Sequence, residues 1–333
     1  MSEIGIIANP ASGKDIRRLV SHATVIDNNE KVNIIERIIL GAQKFGVEKI
    51  YIMPDSFMMG YQVQDKLLLT EELKVEIEVL DFKIKASPKD TEIAATMLDK
   101  MDVGCVVVLG GDGTNRLVAK HLKSVPLIGL STGTNNAYPE MIEGTIAGMA
   151  AAAIASDSID TSTTCTRDKI IEIYRNDEFI DIALMDVVIS DEVVVGAKAI
   201  WDLSCIKQII VSKCHPASIG FSAIIGVNQY IGTQDDFGGS LKLNNGGQNQ
   251  FYAPIAAGKV VLVTASEIEL LPLDQSFLWC AEYKGMIAID GEREIKFNKG
   301  DRLAFKIVRN GPVHVDVKKT LETALRQGLF KKK

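Results

Sequence analysis

The chain has 333 residues, 47% of them apolar, and a formal net charge of −6. That length fits one large domain or two ordinary ones with a full core, and the acidic balance excludes a general nucleic-acid surface. Cys105, Cys165, Cys205, Cys214 and Cys280 show no C-x-x-C spacing and the four histidines are dispersed, which excludes a disulfide framework or transition-metal cluster and predicts reduced thiols.

The chain opens on an apolar strand over residues 4–8, so no secretory leader is predicted and a cytoplasmic protein is expected. The turn Asn9-Pro10-Ala11-Ser12-Gly13-Lys14 follows. Ile34, Ile35, Ile38, Ile39 and Ala42 recur at helical spacing and predict a helix over 32–45. Strands are predicted over 49–53 and, after a polar stretch, over 76–82. A helix over 90–101, a strand over 103–109, a helix over 115–122, a strand over 126–130 and a helix over 143–155 complete the first half. This alternation predicts a Rossmann-like α/β domain over 1–155. The alanine-rich run 146–155 is too short to span a bilayer, and no membrane partner is expected.

Composition changes over 156–168, which is rich in serine, threonine and aspartate. Strand-like runs follow at 170–174, 179–189, 209–211, 260–264, 285–290, 303–308 and 313–317. Residues 238–250, rich in glycine, asparagine and glutamine, read as a mobile loop. These runs predict a β-rich domain over 156–317. A closing helix, within 318–333, is expected to return to the first domain.

The chemistry concentrates in a few stretches. Gly110-Gly111-Asp112-Gly113-Thr114 lies between the strand 103–109 and a helix. Glycines there allow positive φ and close approach of a ligand, and a helix start offers N–H groups to an anion. A carboxylate beside phosphate suits only a metal ion or a proton-accepting role, so Asp112 is a candidate for Mg²⁺ binding or general-base catalysis, with a helix N-cap as the bland alternative. Ser131-Thr132-Gly133-Thr134-Asn135-Asn136 follows the next strand and suits a ribose or phosphate, or a plain capped turn. Asn9, Ser12 and Gly13 sit after the first strand, where open α/β sheets bind ligands; their spacing is not that of a Walker A loop. Asp186 interrupts an apolar run and is either buried with partners or turned to water. Asp290-Gly291 reads as a hairpin turn. Cys214-His215 invites a nucleophile reading, but neighbours along a strand face opposite ways.

In this order the motifs resemble the superfamily of NAD kinases, diacylglycerol kinases and sphingosine kinases. Its hallmark is the GGDGT loop, here 110–114. Asn9-Pro10-x-Ser12-Gly13 and Gly133-Thr134-x-Asn136 are similar to elements of the lipid-kinase branch, and Asp290-Gly291-Glu292 to the closing turn of the superfamily. More narrowly, the opening N-P-A-S-G-K-D-I-R-R, with G-G-D-G-T-N-R and S-T-G-T-N-N, resembles the acetoin-catabolism X proteins. The likeness implies an α/β nucleotide domain, a β-sandwich domain, a cleft between them and a homo-oligomer. It also implies an ATP-dependent, Mg²⁺-assisted kinase acting on a hydroxyl of NAD or a related acceptor. Asn9, Ser12, Gly13, Gly110, Gly111, Gly113, Thr114, Thr132, Gly133, Thr134, Asn135 and Asn136 would hold the donor, Asp112 would act as base or metal ligand, and Asp186 would place the acceptor's ribose. Two departures stand out: Met185-Asp186 replaces an Asn-Glu pair, and residues 217–222 replace the T-G-S-T-A-Y segment of NAD kinases. A lipid or polyol kinase and a non-catalytic nucleotide-binding accessory protein are the alternatives.

Overall fold

The computed structural model describes residues 2–12, 22, 24, 26–156, 159–192, 203–243, 249–291 and 293–331. In the first half β1 (Glu3–Ala8), α1 (Asn28–Lys44), β2 (Lys49–Ile52), α2 (Met59–Leu69), β3 (Glu76–Val79), α3 (Pro88–Met101), β4 (Cys105–Gly110), α4 (Asp112–Ala119), β5 (Pro126–Ser131) and α5 (Gly144–Ala155) alternate. The helix α2 falls in the stretch read as polar. Its buried face is Met59, Val63 and Leu67, about one apolar residue per turn, too sparse a stripe to stand out in the sequence.

The second half continues with α6 (Thr161–Thr164), β6 (Cys165–Arg167), β7 (Ile170–Arg175), β8 (Glu178–Ala183), β9 (Asp186–Ser190), β10 (Ile206–Val211), α7 (Phe221–Gly226), β11 (Phe237–Lys242), β12 (Asn249–Ala256) and β13 (Lys259–Ala265). Then come β14 (Glu269–Pro272), β15 (Ser276–Cys280), β16 (Gly285–Ile289), β17 (Arg293–Phe297), β18 (Arg302–Val308), β19 (Val313–Val315) and α8 (Val317–Arg326).

The first sheet has the order β3-β2-β1-β4-β5-β19-β6, parallel except for β6. Its central strands β1, β4 and β5 are apolar on both faces because helices cover both, whereas β3 alternates, with Glu76 and Glu78 exposed. Ile4 and Ile6 pack with α1 and α5, while Ile7, Val106 and Val108 pack with Ala94, Leu98 and Val118 of α3 and α4. The strands β6 and β19, expected in the β-rich half, join this sheet instead, and α8 packs against α5. A six-stranded antiparallel sheet, β14-β11-β10-β9-β16-β17, and a four-stranded one, β15-β18-β7-β8, face each other across a shared core. That core includes Ile171 and Phe305 from one sheet and Val187, Ile210 and Ile287 from the other. The architecture is therefore an N-terminal α/β domain with a C-terminal antiparallel β-rich sandwich.

Two local expectations are corrected. The expected mobile loop 238–250 begins as strand: Gly238 and Gly239 lie within β11, paired with Leu271 and Leu270. A Cβ at Gly238 would come within 2.4 Å of the Val211 carbonyl oxygen, so glycine serves close packing there rather than mobility; residues 244–248 lie outside the described part. The run 179–189 is two strands, β8 and β9, broken where Leu184 and Met185 donate their N–H groups to Asp290.

Candidate active site

The strand order reverses between β1 and β4. The chain runs from β1 outward to β2 and β3, then returns to β4 on the other side of β1. Such a switch point opens a crevice at the carboxyl ends of the strands, and here Asn9 and the 110–114 loop line it. The Asn9 N–H donates to the Leu109 carbonyl (3.2 Å), and its side-chain amide donates to Thr114 Oγ1 (3.0 Å). The Ser12 hydroxyl donates to the Asn9 carbonyl at 2.8 Å, and Thr132 Oγ1 donates to Ser12 Oγ at 3.1 Å. The three predicted phosphate loops thus meet at one edge of the sheet.

Beneath them lies Lys31, fully buried on α1. Its ammonium donates to the Asn9 and Ser12 carbonyls, both at 2.9 Å, and to Asn28 Oδ1 at 3.1 Å. An ammonium can occupy such a place only where oxygens replace its water shell, so Lys31 shapes the turn and leaves positive charge behind it. Beside the turn runs a groove of about 920 Å³, lined among others by Asn9, Met53, Phe57, Thr114 and Arg116. The Arg116 guanidinium donates to the Ile289 carbonyl (3.2 Å), and its Nε meets no acceptor among the described residues.

The other side of the same loop is acidic. Asp112 is 4% exposed, Asp186 5% and Asp290 3%, and all three line one small pocket between the domains. Asp112 is the first residue of α4, and the N-cap is Gly111, so the bland helix-cap reading falls. Its carboxylate instead accepts the N–H groups of Ala137 (3.0 Å) and Tyr138 (2.8 Å). Across the cleft Asp186 accepts the Ser222 N–H at 3.2 Å, so it is buried rather than turned to water. Asp290 forms the hairpin turn between β16 and β17, with φ of 47° at Asp290 and 68° at Gly291. Its carboxylate reaches back to the N–H groups of Leu184, Met185 and Asp186, at 2.8 to 3.3 Å, and fixes the strand break that presents Asp186. Burial pushes the Asp290 carboxyl above the usual range, against the pull of Arg116 and these N–H groups.

The remaining predicted residues divide by place. Asn135 Oδ1 accepts the Ala257 N–H from the β12–β13 turn at 3.0 Å, bridging the domains. The Asn136 amide donates to Ser131 Oγ (2.8 Å) and Thr134 Oγ1 accepts the Thr24 N–H (2.9 Å), so both hold their loop in shape. Gly133 faces the Thr24 carbonyl. Gly110, Gly111 and Gly113 do not take positive φ, contrary to expectation. Gly110 is needed for space, since a Cβ there would sit 2.5 Å from Thr114 Cβ. Gly13 and Glu292 lie outside the described residues. The Cys214 thiol donates to the Gln229 carbonyl and burial pushes it up to about 12, while His215 Nδ1 accepts the Ala217 N–H. They form no nucleophile pair. Lys31 and Arg116 carry no local sequence signal of these roles, although Arg116 sits one helical turn after Asp112.

No group of three or more His, Cys, Asp or Glu among the described residues is placed to cage a metal ion. Mg²⁺ is commonly held by one or two carboxylates together with substrate phosphates, and Asp112 fits that pattern.

The first half of the chain is NAD-kinase-like by its match to a known family. Residues 4–159 match the ATP-NAD kinase N-terminal domain family, and residues 169–310 match the acetoin catabolism protein X C-terminal domain family. Acetoin catabolism protein X of Cupriavidus necator (strain H16) is 34% identical over 339 residues, 98% of this chain and 94% of that protein. An NAD kinase from Archaeoglobus fulgidus, solved in complex with ATP, aligns over 98% of each chain at 12% identity with a TM-score of 0.41. The chain belongs to the acetoin catabolism protein X family.

Proposed function

We propose that this protein is an ATP-dependent phosphotransferase to an alcohol, with NAD or a related compound as the acceptor its family likeness points to. The observation that carries the reading is the placement of Asp112. It faces Asp186 across a pocket, while Gly113 and Thr114 of the same loop line a groove large enough for a nucleotide. In this reading Asn9, Thr114 and Arg116 bind the triphosphate, and Ser12 and Thr132 hold the turn that carries them. Asp112 takes the proton of the acceptor hydroxyl as the γ-phosphoryl arrives, and Asp186 orients the acceptor. Mg²⁺, held by Asp112 and the donor phosphates, would offset the negative charge gathered there. Asn135 lines the acidic pocket beside Asp112, while Asn136, Gly133 and Thr134 shape its loop and Gly110 leaves room for Thr114.

Calorimetric titration of ATP, run beside an ADP-release assay on wild type and Asp112→Asn, tests this. The expected result is ATP binding within a few-fold of wild type with turnover reduced about 100-fold or more, the usual worth of a general base. Full turnover in Asp112→Asn would remove Asp112 from the chemistry. A second reading, a nucleotide-binding accessory protein, is favoured by one feature: the Asp112 carboxylate already accepts backbone N–H groups. It predicts tight nucleotide binding with no product from either protein.

A further inference from the structure

One side chain stands between the large groove and the acidic pocket. Gly113, Thr114, Arg116 and Leu117 of α4 line the groove, while Asp112 at the start of the same helix lines the pocket with Asp186 and Asp290. The helix is therefore a wall that the two cavities share. Arg116 is 4% exposed. Its guanidinium gives one N–H to the Ile289 carbonyl across the domain boundary, and its Nε meets no acceptor among the described residues. A buried donor left unmet is costly, and the phosphates of a nucleotide in the groove would bring acceptor oxygens to the wall that Arg116 lines.

The contact with Ile289 falls at a sensitive place. Ile289 ends β16, and the next residue, Asp290, holds the N–H groups of Leu184, Met185 and Asp186. Burial disfavours the ionised form of Asp290, and the charge of Arg116 opposes that. An ionised carboxylate is the stronger acceptor for those N–H groups. One turn further on, at the end of α4, Lys120 makes an ion pair with Asp181 of β8, the strand that leads into Leu184. The helix thus grips both chain segments that meet at Asp186.

We propose that Arg116 is a positioning residue that couples the groove to the acceptor side. Phosphate oxygens take its unmet N–H, and the seated guanidinium holds the hairpin at Ile289 and Asp290 and, through it, residues 184–186. The proposal rests on the donor placement in the kinase reading above, not on turnover. Phosphate binds more tightly where Arg116 is seated on Ile289, so bound nucleotide favours the seated arrangement. By linkage, an ordered 184–186 segment favours nucleotide to the same degree. A nucleoside without phosphates has no such effect.

The test is hydrogen–deuterium exchange of the 184–186 amides in the full chain, alone and with saturating ATP and Mg²⁺ or with adenosine. ATP should slow exchange there about fivefold or more, the low end of coupling between sites. The slowing should exceed that of the β15 amides, which report stabilisation of the whole molecule. Adenosine should leave 184–186 unchanged. Arg116→Lys keeps the charge but lacks the planar fork that faces a carbonyl and a phosphate at once, so at saturating ATP it should lose the extra slowing. Wild-type exchange at 184–186 that bound ATP moves no more than that of β15 overturns the inference, however the variant behaves. Equal slowing with adenosine, or undiminished slowing in Arg116→Lys, overturns it too. Failure of ATP to bind in calorimetry overturns the inference and the donor placement together. Extra slowing in wild type, with no turnover in the ADP-release assay, supports the inference and overturns the kinase reading alone.

Discussion

Asp290 shows how a single side chain sets up this cleft. The pattern Asp-Gly alone reads as a hairpin turn, and the backbone is that turn, with both residues at positive φ. Its carboxylate has a second role, because it holds three backbone N–H groups of the segment that presents Asp186. Removing it leaves those buried donors without their acceptor, at about 1–3 kcal/mol for each that finds no other. Asp290→Ala should therefore lower unfolding free energy in urea by about 2–4 kcal/mol. Asp290→Asn keeps an acceptor oxygen and should lose less than half of that. Equal losses in the two variants would show that the N–H contacts do not hold this loop.

The helices and strands explain what the sequence makes legible and what it hides. The 110–114 loop was readable because its parts are contiguous, a strand, glycines and an acid, then a helix. Lys31 and Arg116 were not, because their meaning comes from contacts with residues distant in the chain: Asn9 and Ser12 for one, Ile289 for the other. The β6 and β19 strands carry no local mark of the sheet they join, and only three residues form each. The packing of α1 on α5 was equally silent, since it depends on glycines placed opposite backbone. A Cβ at Gly148 would lie 2.2 Å from the Ile38 carbonyl oxygen, and one at Gly41 2.5 Å from that of Thr145. Gly148→Ala gains about 1 kcal/mol of helix propensity, yet forces the two backbones apart. Set against an overpacking cost of about 1–3 kcal/mol, this leaves a net loss of up to about 2 kcal/mol, seen as a lower Tm in calorimetry. A raised Tm would mean that α1 and α5 separate at little cost.

At the scale of the whole molecule, the two crossings between domains meet at one buried carboxylate. Asp168, on the outgoing crossing, accepts from the Tyr138 hydroxyl at 2.8 Å and from Lys213 at 3.1 Å, and His314 of the returning β19 lies 3.7 Å away. Tyr138 also gives its N–H to Asp112, so this cluster supports the candidate site from behind. Burial pushes the His314 imidazole below its ordinary 6.5, against the pull of Asp168. The folded protein then refuses a proton that the unfolded chain accepts. Stability is full above 6.5 and falls as pH drops below it. Urea unfolding from pH 8 to 5 should show that decline, and His314→Gln should flatten it; an unchanged slope would place the decline elsewhere. The proposed phosphotransferase activity is tested most directly by transfer of the γ-phosphoryl group from labelled ATP to an alcohol acceptor, followed in one turnover for wild type and Asp112→Asn. Labelled phosphomonoester from wild type, slowed about 100-fold or more in the variant, is the predicted result. ATP binding by both proteins with no labelled product from either would contradict it.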